Sequence, residues 1–189
     1  MRIQPTLETN RLVLRPLALT DALVIREAAS VRAIADTMIS IPYPYPEQEA
    51  ERYISSRIAE FESGYCVPFV IEHQSEAKFC GIIEIREIER EHSQAELSFW
   101  LTVEMQGKGY MSEALKPVLR FGFTDVNLNR LYAYHMVRNP ASGRVLQKHG
   151  FTHEGVLRQR VRKWGVFEDV NLWAILQKDW QDRQEQQIE

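Results

Sequence analysis

Two glycines stand one residue apart in Gln106-Gly107-Lys108-Gly109-Tyr110-Met111-Ser112. The segment lies between an apolar run, Leu97-Ser98-Phe99-Trp100-Leu101, and a stretch of helical periodicity from about Met111 to Asp125. Glycine lets a ligand approach the main chain with no Cβ in the way. The helix start that follows offers unpaired N–H groups and the positive end of its dipole. Together these make a site for an anion such as a pyrophosphate. A tight strand-to-helix turn explains the same glycine pair equally well. A Walker loop is excluded, because no Lys-Ser or Lys-Thr pair follows a four-residue spacer. The dinucleotide fingerprint is excluded for want of a third glycine at the right offset.

Few other groups have the spacing of a site. His73, His92, His135, His149 and His153 form no metal-ligand pattern. His149 and His153 are separated by Gly150-Phe151, which ends the helix between them, so all five read as structural or surface residues and no metal is expected. Cys66 and Cys80 match neither a disulfide framework nor a zinc spacing and read as buried free thiols in a reducing compartment. Arg158-Gln-Arg-Val-Arg-Lys163 reads as a solvated strand and turn, or as a basic tract facing an acidic substrate or a phosphate.

The elements that must position the glycine loop follow from periodicity. Arg11–Leu17 alternates and reads as a strand ending at Pro16. Thr20-Asp21 caps a helix over Ala22–Ala29, and Val31, Ile34, Ala35 and Met38 mark a second helical stretch. Ile41-Pro-Tyr-Pro-Tyr-Pro46 is not helical, since each proline biases its predecessor to extended geometry. Glu47–Ser63 is a helix that Gly64 ends. Strands follow over Val67–Glu72, Phe79–Arg86 and Ala95–Leu101. Leu131–Val137 is a further strand, and Asn139-Pro140 opens a short helix that Gly150 closes. Gly155–Arg162 and Phe167–Leu176 are the last strands, split at Trp164-Gly165. The fold class is α+β, with a mixed, mostly antiparallel sheet of about seven strands and helices on its faces. Pro117 falls inside the helix after the glycine loop, where a kink or an irregular first turn is expected.

Composition narrows the function. The chain has 189 residues, 44% apolar and 26% charged, with 23 basic and 26 acidic side chains and a net charge of −3. That is one domain, which buries roughly 70% of its unfolded surface. The domain is placed at 1–180, with a polar tail over 181–189 that has little to bury and is expected to fray. A slightly acidic balance argues against nucleic acid as partner. No apolar run approaches the roughly 18 residues that span a membrane, and Met1-Arg2-Ile3-Gln4-Pro5 starts no signal peptide, so a cytoplasmic protein is expected.

Several stretches, in order, resemble one family: Glu8-Thr-Asn-Arg-Leu-Val-Leu-Arg15, Ile41-Pro-Tyr-Pro-Tyr45, Ala95-Glu-Leu-Ser-Phe-Trp-Leu101 and the Gln106–Tyr110 loop. Asn139-Pro-Ala-Ser142, Lys148-His-Gly-Phe151, Glu154-Gly-Val-Leu-Arg158 and Asp169-Val-Asn-Leu-Trp-Ala174 continue the series. The chain is similar over about residues 8–176 to the GNAT acetyltransferases, and within them to the RimJ/RimL-type branch that acts on ribosomal-protein N-termini. The resemblance implies a single-domain sheet whose central strands, 95–101 and 131–137, splay apart to admit the pantetheine arm of acetyl-CoA. It implies that the backbone of Phe99, Trp100 and Leu101 pairs with pantetheine. It assigns the pyrophosphate to Gln106, Gly107, Lys108, Gly109, Tyr110, Met111 and Ser112, and the thioester end to Asn139 and Ser142. Two positions depart from the family pattern. Met111 stands where Gly or Ala is common, and Leu146 stands where many members carry a tyrosine acid, which passes that role to Ser142.

The implied reaction moves an acetyl group from thioester to amine, and the amine must be neutral to attack. Deprotonation at neutral pH costs about 4.6 kcal/mol for a lysine and about 1 kcal/mol for an α-amine. A protein N-terminus therefore asks less of a base. Glu96 is the leading base candidate, since a carboxylate in a central strand is costly to bury without a task or a partner. A salt bridge is its alternative, and Glu84 and Glu104 are the other candidates. Oxyanion stabilisation falls to a backbone N–H near Leu101. Asp169 reads as structural or acceptor-side, and the tyrosines and prolines of 42–46 line the acceptor side or simply pack. The expected activity is acetyl-CoA-dependent acetylation of a protein α-amine, ribosomal or other, by a monomer or homodimer. The alternatives are acetylation of a small amine (polyamine, amino acid, amino sugar) and a non-catalytic acyl-CoA sensor.

Overall fold

The computed structural model describes residues 3–186. The chain runs β1 (Leu7–Glu8), β2 (Leu12–Pro16), α1 (Ala22–Ala29), α2 (Arg32–Thr37), α3 (Glu49–Ser63), β3 (Val67–His73), β4 (Lys78–Glu89) and β5 (Gln94–Leu101). It continues with α4 (Tyr110–Thr124), β6 (Arg130–Met136), α5 (Pro140–Lys148), β7 (Thr152–Lys163), β8 (Val166–Leu176) and α6 (Gln177–Glu185). One sheet holds all eight strands in the order β1-β2-β3-β4-β5-β6-β8-β7. The strand beyond the expected seven is the two-residue β1, too short to carry a periodic signal.

Strand alternation sends successive side chains to opposite faces, and both faces are covered. Phe69, Ile71, Ile83, Ile85 and Leu97 pack with Leu115, Val118, Leu119 and Phe123 of α4. Val70 and Ile82 face Ile25 of α1 and Ala50 and Ile54 of α3. Burial on both faces explains the near-continuous apolar runs of β3 and β4 in the sequence.

Every strand pairing is antiparallel except that of β5 with β6. That parallel ladder covers only Gln94↔Arg130, Ala95↔Leu131 and Glu96↔Tyr132. Beyond Glu96 the two strands diverge, and the β6-facing edge of residues 97–101 is left without a strand partner. The splay expected of the central strands is present, and it creates the cleft.

Local expectations are corrected at several points. α4 runs unbroken through Pro117, so no irregular segment separates its first turns from the rest. Asp21 makes no side-chain cap on α1. It is buried and binds Arg15 at 2.7 Å, because an enclosed carboxylate takes the nearest guanidinium. Asn139 stands at the N-cap of α5, but its side chain makes no cap bond. The chain after Trp180 does not fray at once: α6 continues to Glu185, with the Trp180 ring 5.5 Å from that of Phe123. Of the polar tail, residues 187–189 lie outside the described residues, as do Met1 and Arg2.

Candidate active site

A cavity of about 370 Å³ opens where β5 parts from β6. Phe99, Trp100 and Leu101 form one wall. The glycine loop and the first turn of α4 form the floor, and α5 supplies the opposite wall. Gly107 and Gly109 have φ of 74° and 80°, in the left-handed region that other residues enter at a cost. This turn aims the start of α4 into the cavity. The first bond within α4 runs from the Glu113 N–H to Gly109 O at 3.0 Å. The N–H groups of Tyr110, Met111 and Ser112 precede it and are open to a ligand. Arg144 and Lys148 of α5 also line the cavity. Free amides, a helix dipole and two cations fit a pyrophosphate-bearing ligand.

The loop is braced from behind. Gln106 Nε2 donates to Leu101 O at 3.1 Å. Both terminal nitrogens of Arg11 donate to Lys108 O at 3.3 Å, and Arg11 Nε donates to Glu113 Oε2 at 2.7 Å. Thr9 Oγ1 donates to Glu113 Oε1 at 2.7 Å. Burial pushes the Glu113 carboxyl up, but the bonds from Thr9 and Arg11 outweigh it and hold the group below its usual range.

A second cavity, of about 360 Å³, lies on the other side of Trp100 and Met38, which line both. Ile41, Pro42 and Tyr45 enclose one side, while Tyr53 and Arg57 of α3 and Glu84 and Arg86 of β4 supply the polar lining. The charges are matched. Glu84 Oε1 accepts from Tyr53 Oη at 2.6 Å and lies 3.0 Å from Arg57 Nε. Glu49 pairs with Arg52. Burial and the neighbouring Glu84 carboxylate push the Tyr53 hydroxyl well above its ordinary range, so it stays a proton donor.

The profile of the acetyltransferase (GNAT) domain matches residues 11–152, three-quarters of the chain. The chain belongs to the GNAT acetyltransferase family. It is 30% identical over 176 residues to an uncharacterised N-acetyltransferase, YoaA, of Bacillus subtilis, covering 91% of this chain and 97% of that one. It is 30% identical over 128 residues to the ribosomal-protein-serine acetyltransferase of Escherichia coli, covering 68% and 70%. Among solved structures, RimL, a ribosomal L7/L12 α-N-protein acetyltransferase in complex with coenzyme A, superposes with a TM-score of 0.84 at 22% identity, over 91% of this chain and 98% of that one. The spermidine N-acetyltransferase of Vibrio cholerae with CoA and spermine gives 0.81 at 26% identity, over 92% and 99%. This chain is accordingly an N-acetyltransferase that uses acetyl-CoA.

The acetyltransferase gathers most of the residues expected from sequence. Phe99, Trp100, Leu101, Gln106, Gly107, Gly109, Tyr110, Met111, Ser112, Asn139 and Ser142 all line the first cavity. Lys108 does not, since its carbonyl turns back to Arg11. Met111 and Leu146 are buried in the core beneath α4 and α5. Met111 is thus both a core residue and part of the cavity lining. Asn139 Nδ2 donates to Ser142 Oγ at 3.1 Å, which leaves the serine proton free.

The carboxylates separate. Glu96 lines neither cavity. It is buried at the closed end of the splay, 2.6 Å from Arg86 Nη2, the salt bridge weighed as its alternative. Burial raises its pKa and Arg86 opposes the rise. Glu104 is exposed and pairs with Lys78 at 2.8 Å. Of the three, only Glu84 reaches a cavity wall. Asp169 lines neither cavity and accepts from the Gln159 N–H at 2.7 Å.

Several participants had no signal in the sequence. Met38, which joins the cavities, is brought there by Lys163, whose Nζ donates to Met38 O at 2.8 Å and Ile41 O at 2.6 Å. Lys163 is therefore not solvated, unlike most of its tract, and burial lowers its pKa. Arg138 adds a second tie, 2.9 Å from both Asp36 and Glu168. His135 is a buried core residue. Trp173 Nε1 donates to its Nε2 at 2.9 Å, so the ring proton sits on Nδ1, 2.9 Å from Met136 O.

Proposed function

We propose that this enzyme acetylates the α-amine of a peptide or protein N-terminus. The observation that carries the reading is the charge state of the acceptor cavity. Its two carboxylates are already matched by Arg52, Arg57 and Tyr53, and a third arginine, Arg86, lines the same wall. A polyamine brings several ammonium groups and needs unmatched carboxylates to receive them. A peptide brings one ammonium with a pKa near 7.8, which loses its proton for about 1 kcal/mol at neutral pH. The relation to a ribosomal-protein-serine acetyltransferase agrees with this choice. A cytoplasmic location, where acetyl-CoA and nascent N-termini meet, accompanies it.

In this mechanism the amine enters between Trp100 and Glu84, and its proton passes to Glu84 directly or through a water. The nitrogen attacks the thioester carbonyl carbon, and a main-chain N–H of β5 near Leu101 stabilises the oxygen that gains charge. The C–N bond forms and the C–S bond breaks; Ser142 gives its proton to the leaving sulfur and takes the second proton of the attacking nitrogen, directly or through a water, so the serine is restored and a neutral amide and a free thiol leave. Asn139, by donating to Ser142 Oγ, holds that proton toward the cavity. The amides of Gly107 to Ser112 hold the pyrophosphate. Glu96 holds Arg86 in place.

The test is thiol release from acetyl-CoA with peptides beginning in Ser or Ala, the same peptides N-blocked, and a panel of small amines including spermidine. Release only with free peptide N-termini is the expected result. Release with spermidine and not with peptides overturns the acceptor assignment and leaves the acetyltransferase intact.

A further inference from the structure

Behind the phosphate floor lies a histidine that the mechanism above does not use. Ser112, in the first turn of α4, lines the donor cavity, and its Oγ is 2.7 Å from Nε2 of His149, the C-cap residue of α5. His149 itself does not line the cavity. The pair joins the start of one helix to the end of another at the point where both face the ligand.

A hydroxyl has one proton to place. With a bare Nε2, that proton points at the ring, and the serine turns its lone pairs toward the phosphates. With a protonated Nε2, the serine accepts from the ring and directs its own O–H into the cavity. Only the second arrangement adds a donor to a floor otherwise built of donors. We propose that His149 is a positioning residue for the phosphates of acetyl-CoA, acting through Ser112 by making its hydroxyl a donor. This inference rests on the reading of the donor cavity as the acetyl-CoA site.

The electrostatics agree with the geometry. Burial lowers the His149 pKa to about 4, and Lys116 of α4, Lys148 of α5 and Arg183 of α6 push in the same direction. The charged groups that act most strongly on the ring are all cations. A bound pyrophosphate supplies the missing negative charge and raises that pKa, so binding takes up a proton. By linkage, affinity then strengthens as pH falls through the window between the free and bound values.

Calorimetric titration with CoA tests the coupling without reference to turnover. Ser112→Ala and His149→Leu are each expected to weaken binding about tenfold, and the double variant no further, because the two residues act as one unit. His149→Gln, whose amide donates from a similar place, is expected to stay within about threefold of wild type. Dephospho-CoA, titrated at about pH 6 in two buffers of different ionisation enthalpy, is expected to show fractional proton uptake in wild type and none in His149→Gln. Its diester pyrophosphate has no proton of its own to exchange there.

Additive losses in the double variant overturn the inference, as does equal proton uptake with and without His149. Unchanged CoA affinity in a folded His149→Leu does the same. Should His149→Leu fail to fold, the uptake comparison with His149→Gln decides. Wild-type enzyme that binds no CoA overturns the cavity assignment itself, a separate outcome from normal binding that His149 does not influence.

Discussion

The two cavities that meet at Trp100 and Met38 are built from different materials. The donor side is mostly main chain: an unpaired strand edge at 97–101, two left-handed glycines and the open N–H groups of α4. Arg11, Thr9 and Gln106 brace this main chain from behind, and Arg144 and Lys148 of α5 add two cations to its amides. The acceptor side is mostly side chain, namely Tyr53, Arg57, Glu84 and Arg86 drawn from α3 and β4, with a lid of chain at 38–45 tied down by Lys163. A main-chain site recognises a phosphate whatever the neighbouring residues are, and so can serve a cosubstrate common to many enzymes. A side-chain site changes with each substitution, which suits a variable acceptor.

This contrast is tested most sharply by Glu84→Gln. Turnover with a peptide acceptor is expected to fall about 300-fold at neutral pH, with CoA affinity by calorimetry unchanged. The deficit should shrink toward about pH 9, where an α-amine is already neutral, and persist there for a lysine amine. Comparable loss of CoA affinity would mean that the two sides are not independent. Glu96→Gln abolishing turnover while Glu84→Gln does not would return the base to Glu96.

Arg86→Met strips Glu96 of its counter-charge and is expected to cost about 3 kcal/mol of stability in urea unfolding. A stability loss below about 0.5 kcal/mol would show Glu96 to be solvated, against its burial. Ser142→Ala should lower turnover about 100-fold with little change in CoA affinity, the donor-side counterpart of the Glu84 experiment.

Smaller effects probe the scaffold of α5. A Cβ on Gly143 would lie 2.9 Å from His135 Nε2, the atom that accepts from Trp173. Gly143→Ala is expected to cost about 2 kcal/mol, read as a lower Tm, and to disturb the Asn139–Ser142 end of the helix. The weakest signal is the pH dependence of stability. His149 has a folded pKa of about 4, below the unfolded value of about 6.5. The unfolded chain therefore binds the proton first, and Tm should fall as pH drops from about 6.5 toward about 4. His149→Gln should flatten the upper part of that slope, above the range where carboxylates titrate.

Much of the donor side was legible in residue order. The glycine pair before an amphipathic helix announces an anion site, and ten of the eleven helices and strands longer than six residues begin or end within two residues of where periodicity puts them. Pro117 pointed to a kink or an irregular first turn, and α4 is regular helix from Tyr110 through Pro117 to Thr124. α6 was missed because Gln177–Glu185 is polar apart from Trp180 and so shows no apolar periodicity, although Gln177 and Arg183 bond to Phe123 O and Lys148 O. The choice among Glu84, Glu96 and Glu104 was also beyond reach, for a physical reason. Burial of a carboxylate is visible in the alternation of a strand, but which cavity it reaches depends on the elements packed alongside: Glu84 and Glu96 each pair with an arginine, and only Glu84 lines a cavity.

The sequence by itself determined the family, the order of all the longer elements but α6, and a glycine loop whose N–H groups suit an anion. Those properties rest on local spacing, on glycine's conformational range and on the dipole of the helix that follows. Only the tertiary structure decided that β5 and β6 part after Glu96, that Glu96 pairs with Arg86 away from both cavities while Glu84 lines the second, and that Ser112 meets His149. Each of these depends on how separate elements pack against one another, which local spacing does not encode.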